Sequence, residues 1–359
     1  MAKLLSIVKV IFINLVSFVV LLFIVNWLAG YFIKKPAQAT RYELPNYEQD
    51  REYAKEVFRD YNSVKHEYYP FVGWKTKPYS GKTTHIDETG ERIHTPPANN
   101  ASPEKKVRFF GGSTMWGEGS DDQNTIPALF NQKFPKYKVH NHGQLAYNTR
   151  QELDALINLY SKNDKTDLVI FYDGVNDAAF LCPKEIDELP AHRLVPMFRD
   201  KIYVGKSKIV KEALYKAFLE NLFRLMRQRS NAEKESPYDC LSTPGKAEEI
   251  AEIMMKNWEL AHRIVTESGG KFIAILQPAA FIGNPRTDHL EQDDDFKKNF
   301  SEVYRLIKIK IAERQHPWIY DLSNQFDGNE YIFIDFCHVS PNGNKLMADA
   351  IAGIVEKEM

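Results

Sequence analysis

The stretch VRFFGGSTMWGEGS, residues 107–120, decides how the rest of the chain is read. Val107, Phe109 and Phe110 suit a strand buried on both faces of a parallel sheet. Gly111 and Gly112 then break the run with backbone freedom that side-chained residues lack, and Ser113 follows at once. A serine at the carboxyl end of such a strand stands where open α/β sheets place their ligands. Taken alone, the motif reads more simply as a helix start, since serine is a common N-cap.

The far end of the chain changes that balance. In DFCHVSPNGNKLMADAI, Asp335 and His338 lie three residues apart, just ahead of a helical pattern. A serine attacks an acyl carbon at neutral pH only if a base takes its proton, and that base must be oriented by a third group. Asp at i and His at i+3 in a tight turn set a carboxylate against one imidazole nitrogen and leave the other free for a serine. An Asp-capped helix with a surface histidine would give the same letters. Two middle stretches, VHNHGQLAYNT and LVIFYDGVNDAA, end predicted strands at Gly143 and Gly174, with Asn176 and Asp177 behind the second. The Ser113 N–H, the Gly143 N–H and the Asn176 amide could together hold an oxyanion. Turn chemistry accounts for each of these residues singly.

All four blocks occur in order, each at a strand end: GGST at 111–114, NHGQ at 141–144, GVND at 174–177 and DFCH at 335–338. In this the chain resembles the SGNH, or GDSL-like, hydrolase superfamily over about residues 105–358. The resemblance implies a three-layer, flavodoxin-like α/β sandwich with a five-stranded parallel sheet. It also implies a serine esterase with Ser113 as nucleophile, His338 as base, Asp335 as its orienting acid and Ser113, Gly143 and Asn176 as the oxyanion hole. No metal or other cofactor is implied. The sequence departs from the family where Gly112 replaces the usual Asp before the serine and where Ala146 replaces a second glycine.

Strands are expected near 107–112, 137–142, 167–173, 271–277 and 317–322, and helices near 125–134, 149–162, 246–268, 293–315 and 341–357. Thr149 and Glu152 have the spacing of a capping box. The 359 residues are 43% hydrophobic, and 47 basic against 48 acidic side chains argue against a nucleic-acid binder. Three cysteines make no disulfide scaffold. Residues 1–9 form a short arm. Residues 10–32 are apolar apart from Asn14, Ser17 and Asn26, long enough to cross a bilayer and longer than the apolar core of a leader. An uncleaved anchor is therefore expected, although Ala37-Gln38-Ala39 has the look of a cleavage site. The globular part is placed on the extracytoplasmic side.

Residues 33–66 read as a linker and an amphipathic helix near Tyr47–Tyr61. Residues 67–104 read as an aromatic β-hairpin add-on turning at Glu88-Thr89-Gly90. Its Tyr68, Tyr69, Phe71, Trp74 and Tyr79 either line a cleft or pack against the domain. Residues 178–245 interrupt the α/β rhythm. Between Arg199 and Lys234 they hold ten Lys/Arg against four Asp/Glu, with Ile209, Val210, Leu214, Phe218, Leu222 and Leu225 near helical spacing. That is an amphipathic helix with a basic face, either solvated or a lid over Ser113 near anionic headgroups or an acidic polysaccharide. Cys182 and Cys240 bracket the insertion and would staple its ends in an exported protein. Cys337 reads as a small buried thiol. His140 and His142 share a face, but no carboxylate lies at ligand spacing, so no metal is expected.

The expected activity is hydrolysis of O-acyl esters on an envelope carbohydrate or lipid. The alternatives are an O-acyltransferase acting on a surface glycan and a non-catalytic glycan-binding or assembly protein of the same fold.

Overall fold

The computed structural model describes residues 2–33, 41–98, 105–186, 188–192, 194, 206–229 and 236–358. These form two compact units, one holding the N-terminal helix with the insertion helices and the other the remaining elements. The N-terminal helix, α1 (Ala2–Phe32), is long and apolar enough to cross a membrane.

The larger unit begins with a 3-10 turn at Arg41–Glu43 and helix α2 (Arg51–Ser63), capped where the Asp50 side chain accepts from the Tyr53 N–H. Two short hairpins follow, β1 (His66–Tyr69) with β2 (Gly73–Thr76) and β3 (Tyr79–Ser80) with β4 (His85–Ile86). The turn expected about Glu88–Gly90 closes a short antiparallel pairing, in which Ile86 bridges Arg92, Asp87 N donates to Glu91 O and Ile93 N to His85 O. There Asp87 Oδ1 accepts from the Thr89 and Glu91 N–H groups and caps the turn. Of the aromatics, Trp74 is buried and donates to Leu145 O, while Tyr68 and Phe71 are exposed.

The sheet comprises β5 (Lys105–Gly111), β6 (Tyr137–Asn141), β7 (Leu168–Asp173), β8 (Lys271–Leu276) and β9 (Ile319–Asp321). All neighbours are parallel, in the order β6-β5-β7-β8-β9. This is the flavodoxin-like order, with its switch point beside β5. All six residues of β7, LVIFYD, are buried, as a strand covered on both faces requires.

Helices α3 (Ser113–Trp116), α4 (Ile126–Lys133), α5 (Thr149–Tyr160) and α6 (Val175–Leu181) lie between the first strands. Helices α7 (Lys206–Phe218) and α8 (Glu220–Arg229) fill part of the insertion, and α9 (Lys246–Glu267), α10 (Asp294–Arg314) and α11 (Pro341–Glu358) complete the fold. One core packs Leu156 of α5, Trp258 of α9 and Phe300 of α10 on one face of the sheet. The other packs Phe130 of α4 and Met347 of α11 on the opposite face. The three-layer α/β sandwich expected from the sequence is therefore present.

The capping box of α5 falls one residue earlier than expected. Asn148 is the N-cap and exchanges hydrogen bonds with Gln151. Thr149 cannot serve, because its hydroxyl donates to Asp177 Oδ1 at 2.6 Å.

The insertion leaves the sandwich through a narrow neck. Lys184 N donates to Pro237 O and Asp239 N to Cys182 O, and a Cys182–Cys240 disulfide closes the pair with Cα atoms 5.2 Å apart. The expected single amphipathic helix is two helices whose packing partner is α1. Phe218 meets Phe23 edge-on at 6.1 Å, and Leu222 and Leu225 are part-buried. Part of the apolar stripe is thus spent on the N-terminal helix, while Val210 and Leu214 stay exposed. Residues 34–40, with the cleavage-site look-alike, and 195–205 lie outside the described residues.

The disulfide spans 58 residues. Replacing both Cys182 and Cys240 by Ser should lower stability by about 2–4 kcal/mol, read as a fall in the urea unfolding midpoint.

Candidate active site

Ser113 opens α3 directly after β5, so its backbone N–H is at a helix N-terminus and has no intrahelical acceptor. Gly112 is required there by space. A Cβ on it would lie 2.1 Å from Asn176 Nδ2, so an Asp at this position would displace the Asn176 amide. Gly143 is required for the same reason, since a Cβ would stand 2.4 Å from Trp116 N. The nucleophile's turn is held from outside by Arg92. Its buried guanidinium donates to Gly117 O at 2.8 Å and Ser120 O at 2.7 Å, and its Nε donates to Asp122 at 2.8 Å.

The second half of the site is a tight loop before α11, closed where Ile334 N donates to His338 O at 2.8 Å and Phe333 bridges Val339. Asp335 Oδ1 accepts from the Cys337 and His338 N–H groups at 2.9 and 2.8 Å. Its Oδ2 lies 2.7 Å from His338 Nδ1. The other ring nitrogen, Nε2, is 2.6 Å from Ser113 Oγ. Ser113, His338 and Asp335 thus stand in line, and both Ser113 and His338 are buried.

The two remaining oxyanion candidates already have partners. Gly143 N–H donates to Asn141 Oδ1 at 3.0 Å, and Asn176 Nδ2 donates one hydrogen to Tyr147 O at 2.6 Å. Among the described residues the second hydrogen of the Asn176 amide has no acceptor. Asp177 faces away and anchors the start of α5 through Thr149. Cys337 is a buried free thiol, 3.5 Å from His338 Nδ1, and burial pushes it up to about 12.

Two charged residues escape a sequence reading. Glu118, buried just past α3, sets Oε2 3.0 Å from His338 Nε2, the nitrogen that also faces Ser113. Arg41, from the segment before α2, donates to Asp335 Oδ2 at 2.9 Å and also pairs with Glu118. No motif marks either one; only the fold brings them in. Burial opposes charge on His338, but Asp335, the Cys337 thiol and Glu118 outweigh it and hold the imidazole well above its usual range. Burial likewise opposes charge on Asp335, yet His338 and Arg41 keep its carboxyl well below the ordinary value. Tyr61 also faces this cluster, its hydroxyl raised by burial and by Glu118. A carboxylate oxygen thus faces each ring nitrogen, and both carboxylates favour the charged ring.

The His140–His142 pair does gain a carboxylate, contrary to the sequence-based expectation. Glu91, forty-nine residues upstream, lies 3.0 Å from His140 Nδ1, and the three form one of two His/Cys/Asp/Glu groups of ligand-like spacing among the described residues. Arg108 donates its Nε to His142 Nε2 at 3.0 Å. A guanidinium therefore already lies against that nitrogen, and burial pushes His142 down to about 4.

No family model and no curated protein matches the sequence. Solved structures do. The chain is similar to Est24, a carbohydrate acetylesterase from Sinorhizobium meliloti, at 14% identity and a TM-score of 0.41, over 71% of this chain and 100% of that one. A lipolytic G-D-S-L family protein from Veillonella parvula matches at 13% identity and a TM-score of 0.38, over 68% and 94%. LAE5, an alpha/beta hydrolase enzyme from the metagenome of Lake Arreo, matches at 14% and 0.37, over 71% and 96%. Such scores add no weight. The strand order and the convergence of the four blocks carry the resemblance.

Replacing Glu118 by Gln removes one of the carboxylates that raise His338. The acid limb of the kcat/KM profile should therefore move to lower pH. A Gly112→Ala change should lower kcat by pushing the Asn176 amide aside, which steady-state kinetics would detect.

Proposed function

We propose that the protein is a serine esterase of the SGNH type that hydrolyses O-acyl esters. The observation that carries this is the Ser113–His338–Asp335 line, with Oγ 2.6 Å from Nε2 and Nδ1 2.7 Å from Oδ2. Ser113 Oγ attacks the ester carbonyl as His338 Nε2 takes its proton. Asp335 holds the ring in register and stabilises the imidazolium that forms. The Ser113 N–H and the free hydrogen of the Asn176 amide meet the oxyanion. The Gly143 N–H joins them by exchanging Asn141 for the substrate oxygen. The C–O bond to the leaving alcohol then breaks as His338 returns the proton to that oxygen. Water, deprotonated by the same histidine, attacks the acyl-serine and releases the acid.

Glu118 bears on both steps because it is a second acceptor for the Nε2 proton, 3.0 Å away. Arg41, bridging Glu118 and Asp335, offsets the charge of the two carboxylates. The reaction draws on side chains and backbone N–H groups alone.

We place the domain outside the membrane on an uncleaved α1. Supporting retention of α1 is the buried Asn26 side chain, which hydrogen-bonds the insertion helices that would lose their packing partner on cleavage. An acylated envelope carbohydrate or lipid is the substrate class this location favours. An O-acyltransferase would share every step up to the acyl-enzyme and differ only in the hydroxyl that resolves it.

Ser113→Ala and His338→Ala should each cut kcat on a p-nitrophenyl ester by roughly 10^4–10^6-fold, and Asn176→Ala by about 10^2–10^3-fold, while Cys337→Ser keeps most activity. Wild-type turnover by Ser113→Ala would refute the mechanism.

A further inference from the structure

The helical run of the insertion breaks between Phe218 and Glu220. An unbroken α-helix would pair Lys216 O with the Glu220 N–H, Ala217 O with the Asn221 N–H and Phe218 O with the Leu222 N–H. One side chain of α1 stands in for four of these six partners. Asn26 Nδ2 donates to Lys216 O at 3.0 Å and Ala217 O at 2.9 Å, and Asn26 Oδ1 accepts from Asn221 N at 2.9 Å and Leu222 N at 3.2 Å. A primary amide offers two donor hydrogens and two acceptor lone pairs, so every site on Asn26 is used. The residue is 3% exposed. In water a kink needs no such device, because solvent completes the freed backbone groups. In hydrocarbon nothing else can complete them.

The surfaces agree. The buried and part-buried residues of α1, Leu22, Asn26, Ala29 and Gly30, lie on one stripe near its carboxyl end. Ala29 and Gly30 allow close approach, and a Cβ on Gly30 would stand 3.0 Å from Asn221 Nδ2. Away from α1 the pair is still apolar. Val210, Leu214, Tyr215, Phe223 and Met226 are each 43–57% exposed, and Tyr215 stacks on Phe223 across the break at 6.3 Å. A helix pair bathed in water would carry polar residues there. Exposed Lys211, Lys216 and Arg224 flank this surface and suit headgroup phosphates.

We propose that α7 and α8 form a second membrane element, a kinked helix seated in the leaflet at the carboxyl end of α1, with lipid acyl chains as the partner of its apolar face. The proposal rests on α1 being an uncleaved anchor and is independent of the esterase chemistry. The bilayer is the occupant the observations favour, because the apolar face continues from a helix of membrane-spanning length and Asn26 completes, without water, four of the six backbone groups freed at the break.

The test uses the full chain in a Cys337→Ser background, which leaves no free thiol beside the Cys182–Cys240 disulfide. Single cysteines replace Leu15, Met226 or Phe71 and carry an environment-sensitive fluorophore. The protein is placed in phosphatidylcholine–phosphatidylglycerol vesicles with and without acyl-brominated phosphatidylcholine. Probes at positions 15 and 226 should be blue-shifted and quenched several-fold by bromine, and the probe at 71 should not. Asn26→Leu should abolish most quenching at 226 and leave that at 15. A quenched probe at 15 with a water-exposed probe at 226 would overturn the proposal. So would a probe at 226 that is shielded but insensitive to bromine, since a second copy or another protein would then cover the face. If position 15 is itself unquenched, α1 is no anchor and the proposal falls with it, whatever the ester assays show.

Discussion

The contact between Ser113 Oγ and His338 Nε2 joins residues 225 apart in the chain, and the rest of the larger unit is arranged so that it can form. A strand buried on both faces delivers the serine to the switch point of the sheet. A loop closed on its own backbone delivers the histidine. Neither end has slack: glycines at 112 and 143 are demanded by atoms already in place, and Arg92 clamps the turn between them. The site is preorganised by packing, and the loops that hold its groups are themselves hydrogen-bonded.

Preorganisation extends to charge. His338 sits between two carboxylates instead of one, and a guanidinium from the segment before α2 bridges them. In the usual serine triad the nitrogen facing the nucleophile has no anionic neighbour. Here a proton on Nε2 has two acceptors within reach, which makes the ring a weaker acid. The segment that follows the N-terminal helix thereby takes part in setting the electrostatics of the site, not only in linking it.

The fold was legible wherever local pattern and burial coincide. LVIFYD could hardly be anything but a central strand, and the sandwich elements lie within two residues of where periodicity places them. Ser113, Asp335 and His338 stood out because one chemistry needs those three residue types and the Asp–His spacing is local. What escaped was long-range. Glu118, Arg41 and Glu91 carry no motif, and their neighbours are chosen by the fold. The cap of α5 slipped by one residue because Asp177, from another element, captured the threonine hydroxyl. The insertion helices announced an apolar face but not its partner, since amphipathicity says that a surface is covered without saying by what.

The neck of the insertion has a consequence of its own. Because Cys182 and Cys240 are bonded where the excursion leaves the sandwich, a protease that cuts anywhere between them severs the polypeptide without separating the pieces. The serine-bearing half and the histidine-bearing half would stay covalently joined until a reductant opens the disulfide, after which the β7–β8 pairing and the shared core would hold them together.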